Sequence, residues 1–336
     1  MQKTIIIAEA GVNHNGDIEL AKELIKKAAI AGADYVKFQS FIADSLTTKK
    51  AKQASYQVKN IGFSQSQYEM LKKLELSNEE HVTLIEECKK NSIKFLSSSF
   101  DLEQIKFLKK LDIDFLKIPS GEITNLPYLK EAALFGKPIL LSTGMSSIEE
   151  IWQAFNTLIK NGCSKNDINI MHCVSAYPAP KNLINLNFIK ELKKQFGVKI
   201  GFSDHTLGIE ISIAAVAIGA EFIEKHFTLD KKLSGPDHKA SLEPEDFKKM
   251  VDSIRSIENA LGSTNKEISE LEIENAKVVR KSIVAVKTIK KGELFTKENL
   301  SCKRPGTGVS PMKIDQVIGL KSNKDYYPDD LIKIDL

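Results

Sequence analysis

The chain is predicted to be an α/β protein, a TIM (β/α)8 barrel followed by a small β-rich domain. Eight short runs rich in Ile, Val, Leu and Phe alternate with amphipathic helical stretches. The eight repeats occupy about 260 residues, the count and length of such a barrel. A doubly wound open sheet is the alternative, but it shows fewer strands and a Gly-rich phosphate turn, and no GxGxxG follows the first run here.

Taken in order, the strand-like runs are TIIIAE (4–9), DYVKFQ (34–39), IKFLSS (93–98), DFLKIP (114–119), PILLST (138–143), INIMHC (168–173), KIGFS (199–203) and EFIEK (221–225). Helical patterns fill the gaps, as in 18–32, 77–91 and 147–162, each with an N-cap type residue at or near its start. Residues 40–77 are longer than a barrel loop needs, contain few strong apolar runs, and are expected to form an excursion over the barrel mouth. A helix over 243–262 closes the barrel domain, 1–262. The polar stretch 263–281 reads as a linker, and the short strands and Gly/Pro turns of 282–336 read as a second domain with too little core to be an enzyme alone.

Composition narrows the function. Basic and acidic groups number 48 and 44, a net charge of +4, and the lysines are scattered, so nothing asks for nucleic acid or a membrane surface. At 42% hydrophobic and 27% charged residues, a core of ordinary size is expected. The four cysteines have no CxxC spacing, which fits reduced thiols. The amino terminus lacks the roughly 7–15 apolar residues of a signal peptide, and no run approaches the roughly 20 needed to cross a bilayer. The expectation is a cytoplasmic protein.

Residues 199–238 concentrate three of the six histidines near Asp204, Glu221, Glu224 and Asp237, where apolar runs stop. His205 and His226 fall just beyond two successive strands, at the carboxyl ends where the βα loops of a barrel converge. Two neutral imidazoles there, with carboxylates to orient them, form a plausible divalent-metal site with positions left for substrate. The bland alternative is that each histidine merely satisfies its own loop.

The polar residues at the other strand ends share the same cup: Glu9 with Asn13 and His14, Lys37 and Gln39, Ser97 and Ser98, Lys117, Ser120 and Glu122, Ser142 and Thr143, and His172 with Tyr177. Lys37 and Lys117 lie inside otherwise apolar strands, where an unpaired ammonium costs several kcal/mol. With Ser98, Ser120, Ser142 and Ser203 they fit a phosphate or phosphoenol site. The competing reading, internal ion pairs with Glu9 or Glu122, stays open from spacing alone. Glu122 is the best placed base, Glu9 the second.

The motifs AEAGVNHNG, AGADYVKFQS, KIPSGE, LSTGM, YPAP, GFSDHTLG, EKHFTLDKKLSGPDH, IKKGE and KRPG, in this order along almost the whole chain, closely resemble the sialic acid synthase family. The resemblance implies a TIM barrel with an antifreeze-like (SAF) domain, in a homodimer whose SAF domain reaches over the partner's barrel. It implies condensation of phosphoenolpyruvate with an open-chain N-acetylated aminohexose, with release of phosphate and a divalent metal, Mn²⁺ before Mg²⁺ or Co²⁺. Matched by position, His205 and His226 are the metal ligands. Lys37, Gln39, Ser98, Lys117, Ser120, Ser142 and Ser203 surround phosphoenolpyruvate, and Glu122, Glu9 and Lys117 are catalytic. Tyr177, Asp237 and Arg304 bind the sugar.

Two departures touch the substrates. Where many relatives have Ser-Thr-Pro-Phe, this chain has Ser97-Ser98-Ser99-Phe100, and it has Ser175-Ala176 before the tyrosine motif. The acceptors implied are N-acetylmannosamine first, the 2,4-diacetamido sugar leading to legionaminate second, and a pseudaminate precursor third. A metal-dependent hydrolase would usually carry HxH on the first strand, where this chain has Asn13-His14. A carbohydrate-binding scaffold would have no reason to keep Glu122, Lys117 and both histidines.

Overall fold

A computed structural model describes residues 3–334, so the outermost residues of the expected domains, 1, 2, 335 and 336, lie outside it. The chain divides into two compact units, 1–262 and 263–336.

In the first unit eight parallel strands close in sequence order: β1 (Ile5–Gly11), β2 (Tyr35–Ser40), β3 (Lys94–Ser99), β4 (Leu116–Ile118), β5 (Ile139–Ser142), β6 (Ile168–Cys173), β7 (Ile200–Asp204) and β8 (Phe222–His226). β8 returns to β1, pairing Glu9 with His226 and Ile7 with Glu224. Nearly every strand residue is buried, because one face meets the helices and the other the barrel interior. Outside lie α1 (Ile18–Ile30), then three short helices in the 40–77 excursion, α2 (Ala43–Leu46), α3 (Ser55–Ile61) and α4 (Gln67–Lys72). The ring continues with α5 (Asn78–Lys90), α6 (Leu102–Lys110), α7 (Leu126–Ala133), α8 (Ile148–Lys160), α9 (Phe188–Phe196), α10 (Glu210–Ala217) and α11 (Pro244–Leu261). Local chemistry starts the helices: Asp17 accepts from the backbone N–H groups of Glu19 and Leu20, and Ser77–Glu80 and Ser147–Glu150 form capping boxes.

Strand alternation then builds the barrel interior in layers. Ile7, Tyr35, Leu96, Leu140, Met171 and Phe222 form an apolar cluster. Two residues further along each strand the side chains become Glu9, Lys37, Ser98, Ser142, Cys173 and Glu224, so the same face turns polar toward the carboxyl ends. The apolar layer closes the floor beneath a polar cup.

The second unit holds α12 (Glu270–Val279), the antiparallel pair β9 (Ser282–Ala285) and β10 (Leu300–Lys303), and α13 (Ile314–Val317). Its core is Ile283, Ala285, Ile289, Phe295, Leu300, Val317, Tyr326 and Ile332. The stretch 263–281, expected as a linker, is thus largely α12. Ser269 caps that helix in a box with Glu272, and its Lys277 carbonyl accepts from the Gly306 N–H of the β-rich part.

Candidate active site

Three carboxylate and ammonium side chains form the middle of the cup. Glu224 lies between Lys37 and Lys117, its Oε2 3.4 Å from the Lys37 ammonium and its Oε1 3.3 Å from that of Lys117. Ser203 donates to Oε1 at 2.8 Å. Lys37 also lies 2.9 Å from Glu9 Oε2 and donates to Ser98 Oγ at 2.8 Å, while Lys117 donates to Ser142 Oγ at 2.8 Å. Gln39 donates to the other Glu9 oxygen at 3.1 Å.

Charge decides protonation here. Burial opposes ionisation of Glu224, but Lys117 and Lys37 together outweigh it and hold the carboxyl far below its ordinary range. Burial likewise opposes the charge of Lys37, and the two glutamates overcome it, so this ammonium titrates above its ordinary range. Lys117 is moved down by burial. Glu9 is moved up, by burial and by the negative Glu224, against the pull of Lys37.

The internal-ion-pair reading of the lysines therefore holds in part: Lys37 pairs with Glu9, and both lysines pair with Glu224 rather than Glu122. These pairs do not exclude anion binding, because the lysines and their serine partners line an open cavity of about 500 Å³.

Glu122 ends a 3₁₀ turn, Ser120–Glu122, directly after β4, and Asn125 holds its Oε2 at 2.7 Å. Burial raises its carboxyl above the ordinary range. Ser120 takes the Gly144 N–H at 2.9 Å and touches Cys173 Sγ at 3.2 Å.

On the far side, His205 and His226 stand with ring centroids 5.4 Å apart. His205 Nδ1 donates to the Val174 carbonyl at 2.7 Å, so in the neutral ring Nε2 carries the lone pair. Burial pushes His205 down to about 4 and His226 well below the ordinary histidine range. His226 Nδ1 is buried without a hydrogen-bond partner. Two neutral imidazoles, one fixed by a carbonyl and one with an orphaned nitrogen, fit divalent-metal ligands. No three His, Cys, Asp or Glu side chains form a closed cluster among the described residues, so a metal on this pair would keep positions for substrate or water.

Tyr177 lies tilted against His205, ring centroids 4.2 Å apart, and stacks on Tyr56 at 5.0 Å. Asp237 is buried with Oδ1 unpartnered, and burial, with a smaller push from Glu9, raises it to about 7. Lys37, Gln39, Ser98, Lys117, Ser120, Glu122, Ser142, Tyr177, Ser203, His205, His226, Asp237 and Glu9 thus all face one cavity. Arg304 lies in the second unit, exposed beside β10.

His172 is a correction to the cup. It points away from the cavity, its Nε2 2.6 Å from the Ile184 carbonyl and its ring beside Phe188 and Phe202, while Cys173 takes the inward place. Ser97 and Thr143 also lie off the cavity, bonded to Ser40 and to the Met171 carbonyl.

Two features escaped sequence reasoning. Glu224 was expected in the cup with His226, but not as the carboxylate between Lys37 and Lys117, although its place two residues before His226 puts both on one strand face. The excursion supplies the other: Phe41, Leu46, Met70, Leu71 and Leu74 form an apolar wall of the cavity, with Tyr56 and Gln57 beside them.

The NeuB family profile matches residues 24–266, and that of the SAF domain matches 280–336. The chain is 53% identical to the N,N'-diacetyllegionaminic acid synthase of Campylobacter jejuni over 99% of this chain and 100% of that one. It is 48% identical to the enzyme of the same name from Legionella pneumophila, over 94% and 89%. The crystal structure of an N-acetylneuraminic acid synthetase from Leptospira borgpetersenii superposes with a TM-score of 0.72 at 36% identity, covering 82% of this chain and 90% of that one. The sequence follows known synthases along nearly its whole length, and the chain accordingly belongs to the NeuB family, the sialic acid synthases.

Proposed function

We propose that the protein condenses phosphoenolpyruvate with open-chain 2,4-diacetamido-2,4,6-trideoxymannose and water, giving a legionaminate-type nonulosonic acid and phosphate. The observation that carries the choice of acceptor is the apolar wall of Phe41, Leu46, Met70, Leu71 and Leu74. Among the described residues, Lys37 and Lys117 are the only lysines lining the cavity and no arginine lines it, and both lysines belong to the polar cup. A sugar whose far end is a methyl group suits such a wall, and a second phosphate would find no cation there. The 53% and 48% identity to two diacetyllegionaminic acid synthases supports the same order. N-acetylmannosamine, placed first by the motifs alone, becomes the second reading, favoured by Gln57 and Gln67 on the same wall as partners for a hydroxyl.

In this reaction Lys37, Lys117, Ser98, Ser120, Ser142 and Ser203 donate to the carboxylate and phosphate of phosphoenolpyruvate. Glu224 keeps both lysines charged and, with Gln39 and Glu9, holds their positions. His205 and His226 would hold a divalent ion, Mn²⁺ by expectation, which supplies Lewis-acid polarisation of the sugar aldehyde. C3 of phosphoenolpyruvate attacks that aldehyde. That leaves an oxocarbenium at C2 and an alkoxide on the sugar; Glu122 takes a proton from the water that adds at C2 and passes it to the alkoxide, and the tetrahedral centre then breaks its C2–O bond to phosphate, its hydroxyl proton leaving as the C2 ketone forms. Tyr177 and Tyr56 form a stacked side of the sugar pocket, with Asp237 near its hydroxyls.

The direct test is phosphate release with Mn²⁺ and each acceptor side by side. The diacetamido sugar is expected to exceed N-acetylmannosamine by roughly 10–200-fold in kcat/KM, with Met70→Gln narrowing the ratio; the reverse order would sink the assignment. Arg304 is proposed to reach the N-acetyl group of the other subunit's substrate in a homodimer. Arg304→Ala is then expected to raise the acceptor KM with phosphoenolpyruvate KM unchanged, and an unaltered acceptor KM removes that role.

A further inference from the structure

On the outer face of the same two strand ends lies a second lysine–carboxylate pair that the reaction does not use. Asp204 and Lys225 are directly opposed in the β7–β8 register, their charged atoms 2.9 Å apart and fully buried. Each immediately precedes one of the two cavity histidines, so the pleat turns the pair outward and His205 and His226 inward.

Asp204 accepts four hydrogen bonds. Oδ1 takes the Thr206 N–H at 2.8 Å and its hydroxyl at 2.7 Å, and Oδ2 takes the Ser212 hydroxyl at 2.6 Å and Lys225. Lys225 also donates to the Thr206 carbonyl. The backbone on both sides of His205 is therefore clamped by one carboxylate, and the ammonium ties that clamp to the residue before His226. His205 has a further restraint in its Val174 bond, whereas His226 has no hydrogen bond on Nδ1. Its position rests on its backbone and on ring contacts with Tyr177 and His205.

We propose that Asp204 and Lys225 are positioning residues that set the separation of the His205 and His226 imidazoles, and through it the affinity for a divalent ion. The inference rests on the reading of those histidines as metal ligands. A buried ion pair is weak as a source of net stability and is better suited to fixing one geometry. Groups that orient metal ligands typically change metal affinity by about 10–100-fold when removed.

The test is the Mn²⁺ dissociation constant of the full chain without substrates, read from the free-ion electron paramagnetic resonance signal. Wild type, His226→Ala and the charge-neutral double variant Asp204→Asn/Lys225→Met are compared, each checked for folding by circular dichroism. Lost binding in His226→Ala together with roughly 10–100-fold weaker binding in the double variant is the expected result, with the KM for phosphoenolpyruvate within about twofold of wild type once Mn²⁺ is saturating. Lost binding in His226→Ala with wild-type affinity in the folded double variant overturns the positioning role alone. Wild-type affinity in His226→Ala overturns the ligand reading and the inference with it. Should the double variant not fold, Ser212→Ala decides: weakening by about threefold or more supports the role, and unchanged affinity overturns it.

Discussion

Two kinds of buried lysine sit within one barrel. Lys37 and Lys117 face the cup, Lys225 faces the helices, and all three are less than 4% exposed. Outside, both oxygens of Asp204 are hydrogen-bonded, and the ammonium has a carboxylate and a carbonyl. Inside, Oε2 of Glu9 and of Glu224 lie within ion-pair distance of Lys37 yet meet no hydrogen-bond geometry. A buried polar atom left unsatisfied costs about 1–3 kcal/mol, so the inner cluster stands short of its best arrangement. The shortfall is of donors to two carboxylate oxygens, and it lies beside an open cavity. Both places are buried and pair ammonium with carboxylate; hydrogen bonding of the carboxylate oxygens separates the outer pair from the inner cluster.

The largest expected effect tests the outer pair. Lys225→Met leaves Asp204 charged and alone, and is expected to cost about 3–5 kcal/mol of barrel stability in urea; a midpoint equal to wild type would put the outer pair in the same class as the inner. Next comes the inner cluster. Lys117→Met is expected to lower kcat/KM by roughly 10²–10³-fold, the loss seen when one charge-stabilising donor is removed, while the urea midpoint stays nearly constant because Glu224 keeps Lys37. Large destabilisation with activity retained would erase the contrast.

A smaller effect sharpens it at Asp237, the carboxyl with no lysine. Burial raises this group to about 7 from an ordinary 3.8. Between those values the native protein holds a proton that the unfolded chain has lost, so stability falls as pH rises through this window and levels off above it. Asp237→Asn removes that slope. The variant is expected to exceed wild type by on the order of 2 kcal/mol at pH 8, with the advantage shrinking toward pH 5. An advantage that grows on acidification would mean the carboxyl is paired rather than isolated.

Much of this was readable beforehand, for local reasons. The eight strands were readable because their apolar runs are short and bounded by capped helices, and the cup because the residues that end such strands must converge in a closed barrel. His172 shows the limit. A strand's inward and outward positions differ by one residue, and nothing in INIMHC says which parity faces in; the structure gives the inward place to Cys173. The excursion was harder still. Helices of four to seven residues, α2 to α4, carry too little periodicity to declare a face, so the apolar wall was invisible.

By itself, the sequence determined the order of elements, the family and most of the polar side chains at the strand ends, since these follow from local patterning and motifs read in line. Only the tertiary structure decided the partners. Lys117 and Glu224 are 107 residues apart, and they meet because the closed barrel turns their strands toward one interior. The same holds for Asp204 and Lys225, adjacent only through the β7–β8 register. Which carboxylate is fully hydrogen-bonded and which is not depends on the donors that surround it in space.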